Sequence, residues 1–316
     1  MVDSGTNKLQ GSIRADHDFF NFVEIFHECD ISPKIRGKFF LIKYTHSENR
    51  EEEFCDFLLD NLVTYALKKS ELEEAYTGTG EQKKIRESRF RKLYLRALRR
   101  YVQSSDKFKG GEIGELILFH ILELVEHAVQ ITNKMSLKTS GKMYFHGADG
   151  VHFGIKENIK ILYFGESKTG MKFSSVLYDA MESVSEFCKE KNERREIELA
   201  TGYSSDFLTE DMHEFIKKYL TSSTADLSDF TQTYAILLAY DTKELRTLEE
   251  SFQGPELFER VRSYYQGKID EIVQNISKKH SEYPGLQNKI FIFYLVPFKN
   301  LSTVRKTVLD EVKHAH

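Results

Sequence analysis

Two apolar runs, Thr231–Tyr240 (TQTYAILLAY) and Lys289–Val296 (KIFIFYLV), restrict the fold more than any other feature. Each reads as a buried strand, rich in β-branched and aromatic residues. Between them Gln253-Gly254-Pro255 opens a long helical stretch that runs to about His280. Strand, long helix, strand is a βαβ unit, and such a connection implies parallel pairing. The chain is therefore an α/β protein, with a sheet covered by helices.

The stretch before these strands reads as a hairpin. Val151–Ile155 is a short strand, Lys156-Glu157-Asn158 a polar turn and Ile159–Phe164 a second strand. Lys142–His146 is a candidate first strand, which makes a three-stranded meander. Upstream, Glu112-Ile113-Gly114-Glu115 opens an apolar helix through Leu116, Phe119, Leu122 and Val125. Downstream, Phe173–Lys189 is helical, with Val176, Leu177, Ala180, Met181, Val184 and Phe187 inward. The charged segment to Glu198 continues or kinks it. Thr209–Leu220 and Leu301–Val312 read as further helices.

The first hundred residues read as mostly helical. Phe19–Phe26 fits either a helix or a strand, and Gly37–Tyr44 (GKFFLIKY) a strand. A helix follows from Ser47 to about Lys69, another starts near Ser70, and Thr77-Gly78-Thr79-Gly80 breaks it. The helix Glu81–Val102 carries nine basic residues between Lys83 and Arg100, with Glu87 the single acid among them. Its exposed Arg89, Lys92, Arg96, Arg99 and Arg100 are a candidate surface for DNA or an acidic partner. A solvated helix face is the plain alternative. Gln103–Gly111 (QSSDKFKGG) is the best boundary, dividing a helical region 1–105 from an α/β region 106–316.

The chemistry concentrates at the hairpin. Side chains alternate along a strand, so Glu166 and Lys168 share one face and Ser167 the other. Folding at the turn brings Asp149, at the start of one strand, to Glu166, at the end of the other. Glu-x-Lys occurs three times, at Glu81, Glu166 and Glu311. The first and third lie on predicted helices, where residues two apart do not face each other. Only Glu166-Ser167-Lys168 ends a buried strand with an Asp opening the strand before it.

A hard Mg²⁺ or Mn²⁺ keeps several waters, so one or two carboxylates suffice to hold it. Asp149 and Glu166 are the candidate ligands, with the Ser167 carbonyl as a further donor and Glu115 as an outer acid. Lys168 would orient a water or offset charge developing near a phosphate. A zinc site from His120, His127, His146 and His152 lacks the H-E-x-x-H spacing. The segment Gly165–Gly170 lacks the Walker A frame, and no G-x-S-x-G is present.

Composition sets the remaining bounds. A net charge of -4 over 316 residues means that any contact with nucleic acid must use a local basic surface. No apolar run reaches the ~20 residues that span a bilayer, so no membrane partner is expected. The polar Met1–Gly11 segment has no signal-peptide core, and isolated Cys29, Cys55 and Cys188 read as buried free thiols. A cytoplasmic location is the expectation.

Helix with Glu115, then Asp149 and Glu166-Ser167-Lys168 on a hairpin, then helix and strand, resembles the PD-(D/E)xK restriction-endonuclease-like superfamily. Ala148 stands where its proline would precede the Asp. Gly147-Ala148-Asp149-Gly150-Val151-His152, Gly165-Glu166-Ser167-Lys168-Thr169 and Gly110-Gly111-Glu112-Ile113-Gly114-Glu115 look like the HamA family, the nuclease subunits of Hachiman anti-phage defence. The motifs cover about residues 110–175. The resemblance implies a restriction-endonuclease-like core and Mg²⁺-dependent cleavage of DNA. It also implies a separate superfamily 2 helicase, HamB-like, that restrains the nuclease. The rival reading is a non-catalytic adaptor, docking DNA or a partner through helix 81–102, with structural charges on the hairpin.

Overall fold

The computed structural model describes residues 9–45, 48–76, 83–103, 111–133, 147–220, 230–254 and 256–314. In chain order the first elements are α1 (Phe19–Phe22), β1 (Val23–Ser32), β2 (Ile35–Ile42), α2 (Glu51–Asp60), α3 (Leu62–Ala66), α4 (Lys69–Tyr76) and α5 (Lys83–Gln103). Then come α6 (Glu112–Leu124), β3 (Val129–Asn133), β4 (Gly150–Lys156), β5 (Ile159–Gly170), α7 (Phe173–Phe187), α8 (Glu190–Tyr203) and α9 (Glu210–Leu220). The last are β6 (Thr231–Asp241), α10 (Lys243–Ser251), α11 (Glu256–Gln266), α12 (Ile269–Ser281), β7 (Ile290–Phe298) and α13 (Leu301–His314).

Seven strands form one mixed sheet in the order β1-β2-β7-β6-β5-β4-β3. The four central strands are parallel neighbours, and antiparallel pairs flank them on both sides. The βαβ expectation holds: β6 and β7 pair in parallel from Thr233↔Ile290 to Asp241↔Phe298. Their crossover holds three helices where one long helix was expected. Gly254, at φ 72°, occupies the left-handed region just before α11, and a turn at Gly267-Lys268 separates α11 from α12.

Both faces of the sheet are covered, as parallel strands require. On one face Tyr163, Ala235, Leu237 and Tyr294 meet α6 and the helices of the first hundred residues. On the other, Leu162, Phe164, Ile236, Leu238, Phe293 and Leu295 meet α7 and α12. Successive residues of β5 and β6 thus enter different cores.

The sheet is not confined to the region 106–316. β2 pairs in parallel with β7 from Ile35↔Phe291 to Phe39↔Leu295, and β1 forms the outer edge. Phe39, Phe40, Leu41 and Ile42 are all buried, so GKFFLIKY needs covering on both faces and joins the central sheet. Phe19–Phe26 divides into α1 and the start of β1. The meander is present, but its first strand is β3. The chain leaves α6 through His127, at φ 52°, and turns straight into that strand. Residues 142–146 lie outside the described residues. The helix from Phe173 stops at Phe187, and α8 is a separate helix. Of the cysteines, Cys55 is buried, whereas Cys29 and Cys188 are only half-buried; all three are free.

Candidate active site

The site begins with unequal strand lengths. β4 starts at Gly150, opposite Gly165, while β5 runs on to Gly170 with β6 still paired on its other side. Glu166 to Gly170 therefore border a notch in the sheet. Asp149 closes its inner end. Its N–H donates to the Gly165 carbonyl at 2.8 Å. Its Oδ2 accepts the Ser167 N–H at 2.8 Å and the Ser167 hydroxyl at 3.0 Å. A carboxylate thus takes the strand donor that lies past the end of β4.

Glu166 and Lys168 share the face covered by α7, as the alternation predicts. The Lys168 ammonium donates to the Glu166 carboxylate and lies 3.5 Å from Ser183 Oγ of α7. Burial, and then the charge of Asp149, push the Glu166 carboxyl above the ordinary carboxylate range. Lys168 and the Ser183 hydroxyl act in the opposite direction. Ser167 and Thr169 face α6 instead. Gly114 permits that close approach: a Cβ there would stand 2.9 Å from Thr169 Cγ2 and 3.2 Å from Ser167 Oγ.

Glu115 lies on this second face, across the sheet from Glu166 and Lys168. Tyr65, from α3, donates its hydroxyl to Glu115 Oε2 at 2.8 Å. Burial, then the charges of Glu115 and Asp149, hold the Tyr65 phenol well above its usual range. Asp149 is therefore within electrostatic reach of both faces. Sequence reasoning missed Tyr65, Ser183 and Glu196. The Glu196 carboxylate of α8 packs so closely on Gly147 that any Cβ there would collide with it. Tyr65 falls within the helix expected from Ser47 to about Lys69, and an aromatic residue there carries no sign of a polar contact 50 residues away.

The pair Asp149 and Glu166 fits a hard divalent cation, which would relieve the repulsion that raises Glu166. Among the described residues no group of three His, Cys, Asp or Glu side chains is placed to hold a metal, so an ion there would rest on this pair and on neutral donors. His120 and His152 are both buried with their rings near Phe119, and burial lowers their pKa values to about 4 and about 3. His146 lies outside the described residues.

The basic helix α5 divides in two. Arg100 is half-buried and grips Glu71 with two nitrogens, at 2.7 and 2.9 Å, while Arg96 adds a third bond at 3.0 Å. Lys92, Arg96 and Arg99 are exposed, Arg89 is half-exposed, and Phe90 among them is 47% exposed.

A mixed sheet between two helical layers, with a carboxylate pair and a lysine at a broken strand edge, is an α/β fold of restriction-endonuclease-like form. The HamA family model matches residues 17–312. The chain belongs to that family, and so to the proteins of Hachiman anti-phage defence. No curated protein matches it. No helix of the described residues is long and apolar enough to cross a membrane.

Proposed function

We propose that the chain is a metal-dependent deoxyribonuclease, the effector subunit of its defence system, restrained by a partner superfamily 2 helicase. The meeting of Asp149 with Glu166-Ser167-Lys168 at the sheet notch carries this reading. Asp149 and Glu166 would hold Mg²⁺ or Mn²⁺, with the Ser167 carbonyl as an additional donor. Such an ion polarises a phosphodiester and acidifies a bound water. Ser167 fixes Asp149 through two hydrogen bonds, so the carboxylate is oriented before any ligand arrives. Lys168 rests on Glu166; with the carboxylate engaged elsewhere, its ammonium is available to the phosphate or the attacking water. Glu115, held by the Tyr65 hydroxyl, would be the outer acid of this group.

The test is cleavage of plasmid DNA with Mg²⁺ or Mn²⁺ by the purified chain, alone and with its genomic neighbour. Glu166→Gln and Lys168→Ala should each lower cleavage by roughly 10²–10⁴-fold without changing thermal unfolding. Undiminished cleavage by the double variant overturns the assignment.

The exposed cations of α5, with Phe90 among them, favour a second reading: a docking face for nucleic acid or an acidic partner. This face would serve an adaptor as well as a nuclease. An adaptor binds without metal and leaves the plasmid intact.

A further inference from the structure

Behind Asp149, on the α6 face of the sheet, lies a cavity of about 10 Å³ whose polar walls are Tyr65, Glu115, Gln130, Asp149 and His152. Its floor follows from the strand register. Gln130 of β3 pairs directly with His152 of β4. Their neighbours Val129, Ile131, Val151 and Phe153 enter the opposite core, so both polar side chains point toward α6. They are almost wholly enclosed, at 1% and 2% exposure. Both ring nitrogens of His152 and both amide atoms of Gln130 have no hydrogen-bond partner among the described residues. A neutral imidazole and a carboxamide each offer one or two donors and an acceptor, and burying all of them unmet is costly.

The volume suits one water, and the walls supply the two to four polar partners that a buried water needs. We propose that the cavity binds a single structural water joining His152 and Gln130 to Asp149, and that His152 is thereby a positioning residue for that carboxylate. The water site stands on the geometry alone; the positioning role rests on the nuclease reading.

A crystal structure of the metal-free full chain tests the first part. One ordered water within hydrogen-bond distance of His152, Gln130 and Asp149 is expected. A dry cavity, or a cation in it, overturns the proposal. The second part is read from Mn²⁺ titrations followed by electron paramagnetic resonance, which need no cleavage. His152→Leu should weaken Mn²⁺ binding about tenfold, as loss of a partner behind a metal ligand does. His152→Gln, which keeps a donor and an acceptor, should stay within about twofold of the natural chain. Gln130→Leu should act in the same direction as His152→Leu and serves if that variant does not fold. Natural affinity in both leucine variants removes the positioning role. If the natural chain binds no Mn²⁺, the nuclease reading fails, and the water is then decided by the electron density.

Discussion

Asp149 is the residue on which the two sides of the sheet converge. Its carboxylate is held by Ser167, its charge acts on Glu166 across one face, and it acts on Tyr65 across the other. The support behind it depends on small residues. Gly114→Ala should destabilise the fold by about 1–2 kcal/mol, since a Cβ pressed on Ser167 and Thr169 must force α6 outward. That cost opposes the ~1 kcal/mol gain of replacing glycine within a helix. Chemical denaturation measures the balance, and an unchanged or raised midpoint would refute the tight-contact account. Asp149, Glu166 and Lys168 were legible in the sequence because strand alternation is a strict period of two and a short turn fixes the register. Tyr65, Ser183 and Glu196 were not, because their contacts come from elements that the sheet gathers from distant parts of the chain.

At the scale of elements, legibility followed burial. The apolar strands β5, β6 and β7 declared themselves, whereas β3, with polar Gln130, Thr132 and Asn133 among its five residues, did not look like a strand at all. Of these, Gln130 lines the cavity and Asn133 donates to the Tyr65 carbonyl at 2.9 Å. The basic helix was visible, but its internal division was not. Arg100→Ala should cost about 1–3 kcal/mol, because a two-pronged charged contact with Glu71 is lost. The double substitution Lys92→Glu with Arg99→Glu should leave the melting temperature unchanged. It should also lower affinity for DNA or for an acidic partner about tenfold or more near physiological salt. Intact binding in that variant would make the exposed face merely solvated.

At the scale of the whole molecule, two buried histidines make a contribution to stability that acid removes. His120 and His152 are held neutral by burial, at about 4 and about 3, against an ordinary value of 6.5. The unfolded chain therefore takes up protons first as pH falls. The contribution of these two histidines is intact above pH 6.5, declines through the window down to about 4 and about 3, and levels below it. Each histidine contributes a slope of about 1.4 kcal/mol per pH unit within that window. His120 packs among the rings of Phe19, Phe57 and Phe119, so phenylalanine can replace it. Denaturation of His120→Phe between pH 7 and 5 should show a shallower decline than the natural chain, and equal slopes would exclude the assignment. The division of the chain at residue 105 had no counterpart in the sheet, because β2 finds its neighbour in β7, some 250 residues later. That pairing also sets an order of events during synthesis. The hairpin β1–β2 leaves the ribosome early, but its parallel neighbour emerges only after Ile290 has been translated. A ribosome that stalls before that point releases a chain whose first hairpin lacks its parallel neighbour, so assembly of the sheet waits for translation past Ile290.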